Sequence, residues 1–114
     1  MDFAIVVRDS QELVGAIGLS ATPHHRFAEM GYWIGVPYWG KGYAKEAARA
    51  VVGFAFDALG LERLIAPVFR DNIASEHVLQ ACGFRAEGVL RQHFIKGGRR
   101  LDATMFGLLR GDER

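Results

Sequence analysis

A short turn with two glycines, Gly40-Lys41-Gly42, is the part of the sequence best suited to bind a ligand. Glycines one residue apart allow a tight turn and close approach to a ligand, because no Cβ is in the way. The residues that follow are predicted to form a helix, whose first N–H groups and positive dipole end attract anions. Lys41 adds a mobile positive charge. The turn therefore predicts a phosphate or pyrophosphate site, without saying which ligand carries the phosphate.

The glycine turn needs a strand before it and a helix after it, and the sequence predicts both. Apolar alternation predicts a strand from Ala28 to about Val36, with Met30, Tyr32 and Ile34 on one face and Glu29, Gly31 and Trp33 on the other. A helix is predicted from about Ala44 to Leu59, and Gly60 stands at its expected C-terminal cap. The apolar stripe of this helix is wide, which predicts cover on more than one side.

The rest of the chain completes a mixed α/β pattern. Strands are predicted at 3–7 and 13–19, joined as an antiparallel hairpin, and at 64–69 as a strand buried on both faces. Pro67 fits that strand only if one edge is unpaired there. A helix is predicted at 73–82, with Asn72 as N-cap and Gly83 as stop. Two last strands, 84–91 and 103–109, are joined around the turn at 96–99. The predicted order is β-β-β-α-β-α-β-β.

Length and composition limit the class of protein. A chain of 114 residues is expected to form one domain, 1–114, and its 50% hydrophobic and 24% charged residues are ordinary for a globular domain. A net charge of +1 gives no reason to expect nucleic-acid binding by bulk electrostatics. No apolar run approaches the roughly 20 residues that span a bilayer. The N-terminus has no signal-peptide pattern, and a single cysteine, Cys82, favours a reducing cytoplasm.

Several segments, in this order along the chain, carry a resemblance to a known family. They are Gly31-Tyr32-Trp33-Ile34-Gly35, Tyr38-Trp39-Gly40-Lys41-Gly42-Tyr43-Ala44, Asp71-Asn72-Ile73-Ala74-Ser75, Cys82-Gly83-Phe84 and Glu87-Gly88-Val89-Leu90-Arg91. Together they resemble the GNAT superfamily of acyl-CoA-dependent N-acetyltransferases. The sequence looks most like the RimJ/RimL branch, which acetylates N-terminal amines of ribosomal proteins. The resemblance runs from about residue 3 to residue 110.

The resemblance implies a binding site for acetyl-CoA and no metal. In the family, the strand before the glycine turn splays away from the next strand, and the pantetheine arm enters between them. The arm would bond backbone groups of Ile34, Gly35 and Val36. The pyrophosphate would lie on N–H groups of the turn, namely Trp39, Gly40, Lys41, Gly42, Tyr43 and Ala44. Asn72, supported by Ser75, matches the position that contacts the cofactor beside the thioester, and Pro67 would face the gap.

The sequence departs from the family in three places. Pro37 stands where the loop often begins with Gln or Arg, and Leu79 stands where many relatives carry a tyrosine proposed as general acid, which the RimJ/RimL branch commonly lacks too. Typical members also begin with a further strand and two helices, so the sequence resembles an N-terminally shortened member. Loss of that layer would uncover apolar surface, which predicts a homodimer or higher oligomer.

The implied reaction is direct attack of an amine on the acetyl thioester, which requires positioning, a carbonyl donor and a base. Glu29 is the first candidate base; Glu87 and His93 are alternates, and Glu87 would equally suit an ion pair with Arg85 or Arg91. The histidines lack metal-ligand spacing, and Cys82 is more typical of a packed side chain than of a nucleophile.

Two alternative functions stay open at this level. A truncated domain would bind CoA without transferring an acetyl group, and would serve as a regulatory or vestigial module. A P-loop nucleotide site is disfavoured, because no Ser or Thr follows Gly40-Lys41 as Mg²⁺ binding requires. The acceptor amine, either a protein N-terminus or a small amine, is not identified by the sequence.

Overall fold

The computed structural model describes residues 1–114, with the exception of the side chain of Pro23. The strands and helices follow one another in the predicted order. The strands are β1 (Asp2–Val6), β2 (Leu13–Thr22), β3 (Phe27–Ile34), β4 (Arg63–Phe69), β5 (Arg85–Lys96) and β6 (Arg99–Leu109), and the α-helices are α1 (Tyr43–Asp57) and α2 (Ile73–Ala81). Short 3-10 helices lie at Pro23–His25 and Val36–Tyr38. The mixed α/β fold is therefore confirmed.

All six strands form one sheet in the order β1-β2-β3-β4-β6-β5. Each neighbouring pair is antiparallel except β3 and β4, which are parallel and are connected through α1. The parallel pair is short: only Phe27–Glu29 pair with Arg63–Ile65. Beyond these three positions the two strands separate, so the predicted splay between them is present.

Pro67 lies at the edge of β4 that faces this gap. The Arg70 N–H donates to the Asp102 carbonyl and the Arg110 N–H donates to the Glu62 carbonyl, so even-numbered residues of β4 turn their backbone groups toward β6. Because backbone groups alternate in direction along a strand, Pro67 turns its nitrogen toward β3. Its missing donor therefore costs no bond to β6.

The core lies between one face of the sheet and the two helices. It is formed by side chains from α1, α2, Leu61, Phe84 and the inward face of β2, β3, β4 and β6, among them Ile17, Met30, Val52, Phe56, Leu64, Leu79 and Phe106. The helix α1 buries a single stripe, and Phe54 (37% exposed) and Leu59 (40% exposed) lie outside it. The expectation of cover on several sides of α1 was wrong. In β4, Leu64 and Ala66 are buried whereas Ile65 and Pro67 are half-buried, so full burial on both faces was also wrong.

Two predicted boundaries need physical correction. The strand β3 ends at Ile34 rather than Val36, because Pro37 has no N–H for a ladder and instead occupies the first turn of the 3-10 helix. The last two strands are longer than predicted and are joined by the two residues Gly97-Gly98, with φ of 59° and 78°. Register shifts in β5 interrupt the alternation that reveals a strand.

Candidate active site

The glycine turn leads directly into α1 and leaves space around its backbone. Gly40 and Gly42 have φ of 77° and 80°, in the left-handed region that favours glycine. A Cβ on either glycine would meet no heavy atom within 4 Å, so the turn is open to an incoming group. Gly42 is the N-cap of α1, and its carbonyl accepts the Glu46 N–H at 3.1 Å. The N–H groups of residues 43–45 precede that bond and lack intrahelical acceptors.

The charge around this turn favours an anion. Lys41 and Lys45 are exposed on the turn and on the first helical turn, and Glu46 is the acidic residue there. The helix dipole adds positive potential at the same end of α1. Backbone donors, two lysines and the helix dipole therefore lie at the turn where the sequence predicts an anion site with Lys41 as its one lysine.

Not every donor predicted for the phosphates is available. The Trp39 N–H already donates to the Val36 carbonyl at 3.2 Å, and the Trp39 indole N–H donates to the Ile34 carbonyl at 2.7 Å. Both bonds tie the turn back to the end of β3. Trp39 therefore acts as an anchor that fixes the turn, which narrows the predicted phosphate donors to the N–H groups of Gly40 to Ala44.

The end of β3 presents backbone groups to the gap. The Gly35 N–H donates to the Val14 carbonyl at 2.8 Å, which directs Gly35 toward β2. By alternation, the backbone groups of Tyr32 and Ile34 face the gap beside β4. An extended amide chain placed in the gap can therefore pair with this edge. Of the three residues predicted to bind pantetheine, Ile34 turns its N–H toward the gap while its carbonyl already accepts the Trp39 indole N–H, and the N–H of Gly35 is bonded to β2.

The first turn of α2 borders the same gap. The Asn72 side chain accepts the Ser75 N–H at 3.2 Å, so the predicted N-cap is confirmed. This bond uses the Asn72 oxygen and leaves its side-chain N–H₂ to donate elsewhere. The Ser75 hydroxyl accepts the Tyr32 hydroxyl at 3.1 Å, which joins β3 to α2 across the gap.

Tyr32 is the site residue that sequence reasoning missed. It is half-buried, and its burial raises the pKa of the phenol above the ordinary value, with the Ser75 bond acting in the opposite direction. Leu79, at the position where many relatives have a tyrosine, is completely buried. A phenol nevertheless reaches the first turn of α2, from β3 rather than from α2 itself. The alternation of Met30, Tyr32 and Ile34 was the available signal, because it aims Tyr32 at the helix face.

Glu29 lies on the other face of the sheet. It is exposed at the point where β3 and β4 stop pairing, opposite Ser20 on β2 and Ile65 on β4. It lines a concavity of about 580 Å³ together with Gly31 and Trp33, and Trp33 is 58% exposed. The carboxylate is therefore reachable from solvent beside the mouth of the gap.

Glu87, an alternate base, is engaged elsewhere. Its carboxylate accepts both terminal N–H groups of Arg63, at 2.6 and 2.9 Å, rather than pairing with Arg85 or Arg91. This ion pair crosses β6 directly over Gly107, where a side chain would collide with the carboxylate. The Arg63 guanidinium lowers the pKa of Glu87, which makes Glu87 a weak base.

His93 and Cys82, the other titratable residues considered, both lie in surroundings that favour a packing role over catalysis. His93 is exposed and touches the Phe94 ring edge-on, at 4.7 Å between ring centroids. Cys82 is buried at the end of α2, and burial raises the pKa of its thiol, so the reactive thiolate is disfavoured.

Within the part of the chain that the structure describes, no group of three His, Cys, Asp or Glu side chains is placed to hold a metal ion. None of the described helices is long and apolar enough to span a bilayer.

Comparison with known proteins shows the family. The acetyltransferase (GNAT) domain matches residues 1–85, which is most of the chain. The chain therefore belongs to the GNAT acetyltransferase family, whose members use acetyl-CoA.

Individual relatives agree with this assignment. The chain is 43% identical over 107 residues to the uncharacterised N-acetyltransferase YoaA of Bacillus subtilis, covering 93% of this chain and 60% of YoaA. It is 31% identical over 106 residues to the spermidine N(1)-acetyltransferase of Vibrio cholerae, covering 91% and 61%. A GNAT-family acetyltransferase structure from Bacillus anthracis superposes with a TM-score of 0.88 at 28% identity, covering 96% and 66%. The chain thus spans about 60% of the length of these curated relatives.

Proposed function

We propose that this chain binds acetyl-CoA and transfers the acetyl group to a primary amine by direct attack. The observation that carries the proposal is the parting of β3 from β4 immediately before an open glycine turn at the start of α1. A parted sheet edge offers unpaired backbone groups to an extended amide chain, and the turn offers N–H groups to phosphates. Both halves of one elongated ligand are matched by adjacent parts of the chain.

The residues fit coenzyme A in order along the molecule. Gly40 to Ala44 would hold the pyrophosphate through backbone N–H groups, with Lys41 adding charge. The gap-facing N–H of Ile34, whose carbonyl is bonded to Trp39, would donate to a pantetheine amide, and Val36 lies at the exposed corner between the two sites. When bound, acetyl-CoA supplies an activated acetyl thioester.

We assign to the first turn of α2 a role in departure of the thiolate. The Asn72 side-chain N–H₂ can donate to the cofactor, since its oxygen is occupied by the Ser75 N–H. The Ser75 hydroxyl accepts a hydrogen from Tyr32 and therefore has its own hydrogen free to donate. We assign to Ser75 a hydrogen bond to the developing thiolate, and to Tyr32 the positioning of Ser75.

Glu29 is the proposed base, acting directly or through a water molecule on the incoming amine. Its exposed position beside the opening of the gap supports this role, and the engagement of Glu87 by Arg63 leaves Glu29 as the freer carboxylate. Removal of a proton from the amine requires a base within hydrogen-bond reach.

The acceptor is a primary amine of a protein N-terminus or of a small molecule. The narrower resemblance to the RimJ/RimL branch supports a protein N-terminus, whereas the similarity to a spermidine acetyltransferase supports a small amine.

The exposed outer face of β3, with Trp33, supports the expected homodimer or higher oligomer. A cytoplasmic location, where acetyl-CoA is made and used, fits the same proposal.

The proposal is tested by calorimetric titration of the chain with CoA, followed by incubation with acetyl-CoA and a panel of peptides and amines. Amine-dependent release of thiol over many turnovers is the expected result. The one cysteine, Cys82, can contribute no more than a single thiol per chain, so repeated turnover separates catalysis from this background. Mass spectrometry of the acceptor confirms the transfer.

Two outcomes would overturn the proposal in different ways. Binding of CoA with no amine-dependent thiol release would favour the alternative of a CoA-binding module that lacks catalysis. Absence of CoA binding at concentrations up to the millimolar range would refute the assignment of the glycine turn itself.

A further inference from the structure

A second concavity, which we call the hairpin pocket, opens beside Asn72. One wall is the end of β4 and the turn after it, residues 69–72, and the other is Lys96 with residues 100–102 of the β5–β6 hairpin. Its volume is about 540 Å³, within the roughly 300–1,000 Å³ typical of small-molecule sites. Because Asn72 belongs both to this pocket and to the proposed thioester end, a molecule in the pocket would adjoin the acetyl group.

Part of the charge in the hairpin pocket is internally balanced. Asp102 accepts the Gln92 N–H at 2.8 Å and lies 3.6 Å from the Arg70 guanidinium. The carboxylate is therefore occupied by the protein itself. The positive charge of Arg70 and the negative charge of Asp102 offset each other, so this pair presents little net charge to a ligand.

The charges that remain are separated across the pocket. On the hairpin wall, the Lys96 ammonium lies 5.3 Å from the centre of the Phe69 ring, and Arg100 donates one N–H to the Gln92 carbonyl at 3.2 Å. An arginine has five N–H donors, so Arg100 keeps donors for a ligand. On the opposite wall, Asp71 is exposed next to Asn72. The pocket is thus negative near the proposed acetyl end and positive at the hairpin.

We propose that the hairpin pocket binds the acceptor, and that the acceptor is a small primary amine that also carries a carboxylate a few bonds away. The inference rests on the function proposed above. The amine would first approach Asp71 as its ammonium form. It would then lose a proton through water toward Glu29, which lies outside the hairpin pocket, and attack as the neutral amine. The carboxylate would pair with Lys96 and Arg100, for which guanidinium geometry is well matched. A polyamine would instead bring positive charge against both cations. The pocket therefore selects against spermidine-like acceptors.

The test compares acceptors that differ in net charge, and the acid and its amide differ by one charge alone. With the purified chain and saturating acetyl-CoA, kcat/KM is measured for γ-aminobutyrate, for its uncharged amide and for spermidine. The acid is expected to exceed the amide by about two- to fivefold and spermidine by more, since Lys96 and Arg100 are exposed and an exposed ion pair contributes no more than that factor. A dipeptide pair, Ala-Asp and Ala-Asn amides, shows whether a peptide can deliver the same carboxylate.

Variants locate the effect in the pocket. Lys96→Gln should remove most of the preference for the acid, and Lys96→Glu should reverse it in favour of spermidine. Arg99→Gln is the matched control, because Arg99 lies on the same hairpin but outside the pocket lining. In all three variants the KM for acetyl-CoA should stay within twofold of the original chain.

The outcomes separate this inference from the proposed function. If no amine supports thiol release, the proposed function fails. If amines are acetylated but the amide or spermidine is preferred, or if Arg99→Gln changes the preference as much as Lys96→Gln, only the assignment of the hairpin pocket fails.

Discussion

The two edges of β4 use the same strand in opposite ways. Toward β6, all seven residues from Arg63 to Phe69 have paired partners, whereas toward β3 only Arg63, Leu64 and Ile65 do. The first edge continues the sheet, and the second opens into the proposed cofactor gap. Because the closed edge holds the strand in place, the open edge can leave its backbone groups unpaired for a ligand without loss of the fold. Pro67 agrees with this difference between the two edges, since its nitrogen, which has no hydrogen to donate, faces the open edge.

The largest effect is expected from moving proline by one position along β4. Ala66→Pro removes an N–H that faces β6, and should lower the free energy of unfolding by about 3 kcal/mol or more. Pro67→Ala restores an N–H on the open edge and should change it by less than about 1 kcal/mol. Urea denaturation measures both. Equal destabilisation by the two changes would contradict the assigned directions of the backbone groups.

The next effect concerns the open edge where it meets the glycine turn. Gly42→Val places a side chain in space that the proposed phosphate needs, and should weaken CoA binding about 100-fold, or about 2.7 kcal/mol. Gly60→Val is the control, because Gly60 has a similar φ of 67° and equally open surroundings beyond the other end of α1. Both variants carry comparable backbone strain, of about 1–2 kcal/mol. Calorimetry should show that only Gly42→Val loses affinity.

A smaller effect is expected where the open gap is bridged. Tyr32→Phe removes the hydroxyl bonded to Ser75, and should lower the free energy of unfolding by about 1 kcal/mol and kcat about tenfold, with CoA affinity unchanged. In a Ser75→Ala background the same change should have little further effect on kcat. Additive losses in the double variant would show that the two hydroxyls act separately.

The pH dependence of this bridge has a definite sign. The pKa of Tyr32 is raised in the folded chain, so the folded state holds the proton more tightly than the unfolded state. The associated stability is present below the unfolded value of about 10 and is lost as the pH rises through the higher folded pKa. The stability difference between the original chain and Tyr32→Phe should therefore persist at neutral pH and shrink under strongly alkaline conditions.

The smallest effect is expected at the closed edge of β4, where β4 pairs with β6. Glu87→Gln breaks the pair with Arg63 across β6, and should cost less than about 1 kcal/mol, because both side chains are about one-third exposed. Glu62→Gln is the matched control, since the Arg26–Glu62 pair is 70% and 59% exposed and should contribute almost nothing. A larger loss for Glu62→Gln would contradict this ranking.

The sign of the Glu87 effect also follows from its pKa. Arg63 lowers the pKa of Glu87 in the folded chain, so the stabilisation is present above the unfolded value of about 4.5. It is lost as the pH falls through the lower folded pKa. The difference between Glu87→Gln and the original chain should therefore disappear in acid, which thermal denaturation at several pH values will measure.

The sequence predicted the features that depend on neighbouring residues. The φ angles at Gly40 and Gly42, the Asn72 cap and the Gly97-Gly98 turn are each local, and glycine or a short polar side chain signals them directly. The order of elements and the unpaired edge beside Pro67 also followed from the chain or from its resemblance to the family. Each of these features has a signal either in neighbouring residues or in the resemblance to the family.

Features that join distant segments were not predictable in this way. Tyr32 meets Ser75 across 43 positions, and Arg63 meets Glu87 across 24, so neither contact has a local signature. The predicted end of β5 was too early because the bulges near Gly88 and Gln92 move side chains off the simple alternation. The engagement of the Trp39 N–H is local, since its acceptor lies three residues earlier, but it depends on the 3-10 turn that Pro37 begins at the end of β3.

The hairpin of β5 and β6 also has a consequence for how specificity can change. It carries Lys96 and Arg100 at a tip made by two glycines, while the proposed cofactor contacts come from the chain between β3 and α2. In the proposed assignment, the cations that would bind the acceptor lie in a different stretch of sequence from most residues that would hold CoA, and only the segment Asp71-Asn72 serves both. We expect that residues 94–101 can be exchanged with those of a relative to retarget the acceptor, while the rest of the chain keeps its cofactor. On this proposal, an evolutionary change confined to the hairpin would alter the acceptor while the cofactor stays the same.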